Sequence, residues 1–282
     1  MLRLLKETQT SLARKLQLGA AVIFATLLLL VYLYTAFVLR HDPTLTDLSI
    51  RLQGPSLNHP LGTDHLGRDV LTRLMLGGQQ TIGYSLLALA AALLIGTAAG
   101  MVAGYRGGWL DRVFMRIADG FLAFPDMIVV IVLSGLLGPG LHSMIIAIVM
   151  VKWVSYARVV RTTVITESKQ DYMLAARTNG LSPARMLTRH LLPHIAGQVL
   201  VLASLDLGKV ILLISSLSYI GLGVQPPTPE WGAMLNDSRP YFQLAPELML
   251  FPGLAIVLVV LCFTVLGDSI RDLYDVKKEV RG

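Results

Sequence analysis

Four charged residues stand inside apolar runs, where their presence needs a reason: Asp126, Lys152, Asp206 and Lys209. An ionised side chain in hydrocarbon is costly unless it is paired, wet or within reach of an interface. Asp206 and Lys209 are three residues apart, so on a helix they share a face. That spacing allows a self-neutralising pair, or a polar patch lining a path across the membrane. Asp126 follows Phe124-Pro125 and either pairs within the membrane or lies shallow enough to reach the cytoplasmic side. Lys152 can snorkel to an interface along its aliphatic stem. These four residues are the candidates for a translocation path.

Other chemistry is missing. No phosphate-binding loop of the Gly-x-x-x-x-Gly-Lys-Ser/Thr type is present, and Gly208-Lys209 is followed by Val210. His59, Asp64 and His65 can be drawn as a metal site, but two histidines and one acid in a long loop are weak ground. No metal site is assigned. Cys262 is the only cysteine, which excludes an internal disulfide and a Cys-based metal centre. The chain is therefore not expected to be an enzyme or to hold a cofactor. If ATP drives it, ATP and Mg belong to another chain.

The elements that position these residues follow from composition. The chain is 54% hydrophobic and 15% charged over 282 residues, with mean hydropathy +0.63. A soluble surface needs about 25% charged residues, so this is an integral membrane protein. About 20 apolar residues cross a bilayer as a helix. Six runs qualify, at roughly 18–39, 80–104, 118–137, 143–160, 195–222 and 247–267. The first is too long for a signal peptide and lacks a small-residue cleavage site before Arg40 and His41. The expected fold is an all-α bundle of six transmembrane helices: cytoplasmic segment 1–17, first span 18–39, outer loop 40–79, core 80–267 and cytoplasmic tail 268–282.

Lys and Arg concentrate in the amino-terminal segment, the loop at 105–119, the loop at 161–193 and the tail. By the positive-inside rule these face the cytoplasm, and so do both termini. The net charge of +6 is explained this way without a nucleic-acid partner. In the outer loop, Thr63 or Asp64 can cap a helix, and Val70, Leu71, Leu74 and Met75 predict an amphipathic interfacial helix before the second span. Gly96, Gly100 and Gly104, preceded by Ala92, have the small-residue spacing of a close helix–helix seam. Pro125 predicts a kink in the third span. Trp109, Trp231 and Tyr241 suit the membrane interface.

The loop at 161–193 is the most elaborate polar stretch: ITESKQDYMLAARTNGLSPARMLTRHLLP covers 165–193. A first helix is predicted from Glu167 to Thr178, with Tyr172, Ala175, Ala176 and Asn179 on a shallow face. Gly180 fits the left-handed position past a helix end. Ser182 can cap a second helix with Pro183 at its first position, and Pro193 interrupts that helix at the return to the membrane. This reads as a basic helix–turn–helix knob for a cytoplasmic partner.

At these residues the chain resembles the permease subunits of bacterial ABC importers. Their cytoplasmic signature is Glu-Ala-Ala, three residues, Gly, nine residues, Ile, one residue, Leu-Pro. Ala175, Ala176, Gly180, Leu192 and Pro193 match in register, while Leu174 replaces the Glu and His190 the Ile. LGTDHLGRDVLTRL at 61–74 and LSYIGLGVQPPTPEWGAML at 217–235 are similar to the dipeptide/oligopeptide/nickel permease family, in its "C"-type subunit. The similarity extends from about His41 to Asp275. It implies a type I importer fold in the bacterial inner membrane, a heterodimer with a homologous permease, two cytoplasmic ATPase subunits and an external solute-binding protein. It also implies that the helix from Ser182 to Leu192, with Arg185 and Arg189, docks on an ATPase. VLASLDLGKVILL at 201–213 and TDLSIRL at 46–52 resemble nickel-type and metal-chelate permeases more than peptide ones. Import of di- or oligopeptides by the same machinery is the alternative. A secondary ion-coupled transporter is the alternative from another class, and would need internal repeats.

Overall fold

A computed structural model describes Gly19, Thr26 and residues 42–279, with side chains through Asp272. The expected segments 1–17 and 18–39 otherwise lie outside those residues. The described helices are α1 Val70–Arg106, α2 Gly108–Leu122, α3 Asp126–Leu137, α4 Leu141–Glu167, α5 Asp171–Thr178, α6 Pro183–Tyr219, α7 Trp231–Ser238 and α8 Glu247–Glu279.

Among the described residues, α1, α4, α6 and the Glu247–Asp272 part of α8 are long and apolar enough to cross a membrane. The pair α2–α3 makes a fifth span if it counts as one. The six-span expectation is thereby corrected to four or five among the described residues, which leave out most of the run at 18–39. Pro125 decides between the two counts. It was expected to kink one helix, but the chain breaks over Ala123–Pro125 and the two halves meet at 94°. Proline has no N–H for the helical ladder, and its ring clashes with the preceding turn. The 12 residues of α3 cover about 18 Å at 1.5 Å each, short of a bilayer core.

Helix α1 starts where Asp69 caps it, accepting the Thr72 N–H at 2.7 Å through Oδ1. The cap is thus Asp69, rather than Thr63 or Asp64. No separate interfacial helix precedes the span: the amphipathic turn and the span form one helix of 37 residues. Gly77-Gly78 does not break it, because the Trp231 indole packs onto both glycines and its Nε1 donates to Leu74 O at 2.7 Å. Trp231 is accordingly 5% exposed, a core residue rather than an interfacial anchor.

The expected seam forms between α1 and α4. A Cβ placed on Gly100 would lie 2.5 Å from Ala157 O, and one on Gly104 would lie 2.9 Å from Arg161 O. Gly96 lies equally close to Trp153 O, and Ala92 is fully buried. Against this pair packs α6, and α8 packs mainly on α6, with Tyr156, Met144, Ile148, Ile211 and Ile214 wholly enclosed.

The two outer motifs close over each other. Arg68 Nε donates to Asp64 Oδ2 at 2.6 Å, and its Nη2 lies 3.5 Å from Asp237. Arg73 adds Pro43 O at 3.0 Å, Pro227 O at 3.3 Å and both carboxylates within 4 Å. Buried Glu230 accepts from Thr81 Oγ1 at 2.9 Å and caps α7 at Ala233 N. Charges this enclosed persist only when paired and hydrogen-bonded.

Two outcomes follow. Gly100→Leu must push α4 away, costing at least about 1–3 kcal/mol, whereas Gly83→Ala enters open space. Thermal unfolding in detergent should show a lowered midpoint for the first and an unchanged one for the second. Arg73→Gln leaves Arg68 as the cation on Asp64 and Asp237 and frees the Pro43 and Pro227 carbonyls; it should cost about 1–3 kcal/mol, while exposed Arg51→Gln should be neutral by the same measurement.

Candidate functional site

The loop expected to face the cytoplasm begins where α4 ends at Glu167. The helix predicted from Glu167 starts instead at Asp171, because α4 takes the preceding residues. Its Met173 and Ala176 turn inward, whereas Tyr172, Leu174, Ala175, Arg177 and Asn179 are exposed. Ala176 is therefore part of the core and not of the open face. The helix ends in a paired closure: Leu181 N–H donates to Ala176 O at 3.2 Å and Gly180 N–H to Arg177 O at 3.1 Å. With Gly180 at φ +73°, this is the Schellman arrangement that glycine adopts without strain.

Ser182 occupies the cap position of the next helix but makes no side-chain cap bond; Pro183 stands at its first turn as expected. Pro193 does not interrupt that helix. A π-helical stretch over Met186–Leu191 widens the turn ahead of it, and the helix continues to Tyr219. The segment Ser182–Leu192 is consequently the inner end of a membrane helix, with Met186 and Leu191 buried and Arg185, Arg189 and Leu192 exposed. The freestanding short helix is α5.

Tyr172 ties α5 to both neighbours. Its hydroxyl donates to Glu167 Oε2 at 2.8 Å, and its ring stacks on His194 with centroids 5.8 Å apart. Burial, with the Glu167 bond, pushes this phenol up to about 12, so it stays a donor. At the neighbouring helix end, Tyr105 of α1 reaches Met186 Sδ at 3.6 Å. Sequence reasoning put Tyr172 on the loop face and missed these ties.

All four membrane charges are paired. Lys152 Nζ donates to Asp126 Oδ2 at 2.8 Å, joining α4 to α3. Lys152 is thus bridged rather than snorkelling, while Asp126 keeps 43% of its side chain exposed. Two further bridges run from α4 to α2, Arg158 to Asp119 and Arg161 to Asp111. Together they hold the broken α2–α3 segment against α4.

Asp206 is 4% exposed and takes one donor on each oxygen. Lys209 Nζ lies 3.1 Å from Oδ1, and the Tyr156 hydroxyl donates to Oδ2 at 3.1 Å. Tyr156 was absent from the sequence-level candidates. Its signal was a phenol in mid-span, which needs an acceptor when buried. Lys209 leaves 67% of its side chain exposed. Helix α6 is otherwise the most enclosed of the spans; towards its Tyr219 end, exposed Lys209 and Leu212, half-buried Ser216 and exposed Ile220 just past the helix form one stripe at helical spacing.

No metal centre assembles from the outer histidines. His59 Nδ1 faces Asp69 at 2.9 Å, Asp64 serves Arg68, and His65 stacks on Tyr241 at 4.8 Å. Burial pushes the His65 imidazole below its ordinary value. Among the described residues no three His, Cys, Asp or Glu side chains converge to hold a metal.

Residues 96–280 match the family described as binding-protein-dependent transport system inner membrane component. The dipeptide transport system permease protein DppC of Alkalihalophilus pseudofirmus is 40% identical, over 91% of this chain and 84% of that one. The nickel transport system permease protein NikC of Escherichia coli K12 is 41% identical, over 90% and 92%. The inward-facing MetNI methionine ABC transporter superposes with a TM-score of 0.57 at 18% identity, over 72% of this chain and 97% of that one. That likeness shows a shared all-α permease fold. Family membership implies a partner permease, an ATPase and a binding protein, with ATP hydrolysed outside this chain. The chain belongs to the binding-protein-dependent inner-membrane components and is a multi-pass permease subunit of an ABC importer, of the C type in the dipeptide/oligopeptide/nickel group.

Proposed function

We propose that this chain and a homologous permease form a path for nickel or a metal chelate handed over by an external binding protein. Two cytoplasmic ATPase subunits drive it, and both termini face the cytoplasm. The observation that carries the path is the open stripe of α6, where Lys209 is steadied by Asp206 and Tyr156. A lysine that faces outward in mid-span calls for water or a polar partner, not lipid. Asp126 and Lys152 carry the path towards the cytoplasm along α4.

The knob formed by α5 and the turn at Gly180 is the docking element. Leu174 and Ala175 present the apolar contact; Arg177, Arg185 and Arg189 supply charge. Tyr172 passes a displacement of α5 to α4 and α6 at once. Ser182 and Pro183 start α6 directly after the turn, and Leu192 and Pro193 mark where its cytoplasmic end meets the span. Alternation between inward- and outward-facing states then follows from the differential affinity of ATP for the two states.

The nickel assignment rests on the residues at 201–213 and 46–52. Relatives named for nickel and for dipeptide are equally similar, at 41% and 40% identity, so cargo is decided by uptake. Cells lacking this chain should lose uptake of radiolabelled nickel supplied with a chelator and keep that of labelled dipeptide. The reverse pattern would establish the peptide reading.

Gly180→Val forces a β-branched side chain into left-handed backbone, at about 1–2 kcal/mol, and Gly180→Asp adds a negative charge at the turn; both should uncouple ATP hydrolysis from uptake. Gly180→Asn, which tolerates that backbone and adds no charge, should retain more uptake. Equal uptake by all these variants and wild type would remove the docking assignment. Arg185→Glu with Arg189→Glu should reduce ATPase co-purification without lowering this chain's own unfolding midpoint; unchanged co-purification would count against those arginines.

A further inference from the structure

We infer that Lys209 receives a carboxylate of the cargo, so that the solute crosses as a carboxylate-bearing molecule or chelate and not as a bare metal cation. This rests on the reading of the α6 stripe as the path.

The ammonium has three donors, and Asp206 Oδ1 takes one of them. Asp206 cannot turn outward to offer itself to a cation. It is buried, and its other oxygen is held by Tyr156. The stripe therefore shows the positive end of the pair and hides the negative end. Its neighbours Leu212, Ser216 and Ile220 add two apolar side chains and a hydroxyl, with no imidazole, thiolate or carboxylate. Divalent transition metals seek such ligands, and an ammonium can only donate. Lys209 also cannot escape to the membrane surface. The stretch from Lys209 to Tyr219 at the helix end spans about 15 Å, farther than a lysine stem reaches. Asp206, fixed behind the amine, keeps it on this face. What complements such a site is an anionic oxygen on an otherwise partly apolar solute. A peptide carboxyl terminus and the free carboxylates of a metal chelate share that chemistry.

The test uses the whole transporter, with both permeases, its ATPases and its binding protein, in proteoliposomes. The probes are labelled nickel as the aquo ion, labelled nickel with citrate, labelled dialanine and labelled dialanine amide. Lys209→Gln should lower uptake of whichever carboxylate-bearing probe the wild type carries by about tenfold or more. Lys209→Arg should stay within about threefold of wild type. Citrate–nickel uptake would identify a chelate as the source of the carboxylate, and dialanine uptake a peptide. The proposal is overturned if Lys209→Gln carries the wild-type cargo at the wild-type rate. It is also overturned if aquo nickel or dialanine amide is carried as well as its carboxylate-bearing counterpart. Loss of co-purifying partner permease in Lys209→Gln would assign the lysine to a carboxylate of that subunit instead. A Lys209→Cys, Cys262→Ser chain separates the two layers of the argument. If an impermeant thiol reagent fails to reach position 209 in every nucleotide state, the path reading itself falls. If it reaches position 209 while Lys209→Gln transports normally, only the carboxylate assignment falls.

Discussion

The close approach of α1 to α4 is the constraint on which the rest depends. In lipid there is little hydrophobic force between helices, so association comes from close packing. Gly96, Gly100 and Gly104 allow the α4 backbone to lie directly on α1. With that face committed, α4 has its remaining surface free for polar work. Lys152, Arg158 and Arg161 gather the acids of α2 and α3. Tyr156 reaches Asp206 on α6. Any side chain at the seam would displace α4 and loosen both sets of contacts together.

The charged residues obey one rule throughout the molecule: where burial is deep, the partner is fixed and further hydrogen bonds saturate it. Arg73 and Glu230 do this on the outer side, Asp206 in mid-span. Where exposure remains, as at Lys209, the group is left available. Mechanical continuity follows the same economy of parts. Helix α6 runs unbroken over 37 residues, about 55 Å, from the turn after Gly180 to the outer segment that leads to α7. Tyr172 pins the cytoplasmic knob to the inner ends of α4 and α6. In the proposed mechanism a displacement at α5 would reach the Lys209 stripe along α6.

Much of this was legible in the sequence because it depends on local spacing. The glycine seam, the turn at Gly180 and the pairing of Asp206 with Lys209 each follow from residues within a few positions of one another. What was not legible joins distant positions. Asp126 and Lys152, Asp119 and Arg158, and Asp111 and Arg161 meet only because α2 and α3 fold back on α4, and Tyr156 finds Asp206 only in the assembled core. Proline was the other source of error. Pro125 broke a span where a kink was expected, whereas Pro193 was absorbed by a π-helical turn where a break was expected. The same residue type gave opposite results because neighbouring backbone could relax around one and not the other. Trp231 was misplaced at the interface because its partner glycines lie far away in α1.

In the proposed mechanism, ATP-driven movement of the α5 knob opens and closes the α6 stripe to water. The rate at which an impermeant thiol reagent modifies Leu212→Cys, in a Cys262→Ser background within the assembled transporter, reads this movement. Adding ATP should change the rate severalfold, and the change should disappear when Gly180→Asp is also present. A rate indifferent to ATP, or an ATP response that survives the Gly180 substitution, would contradict this mechanism.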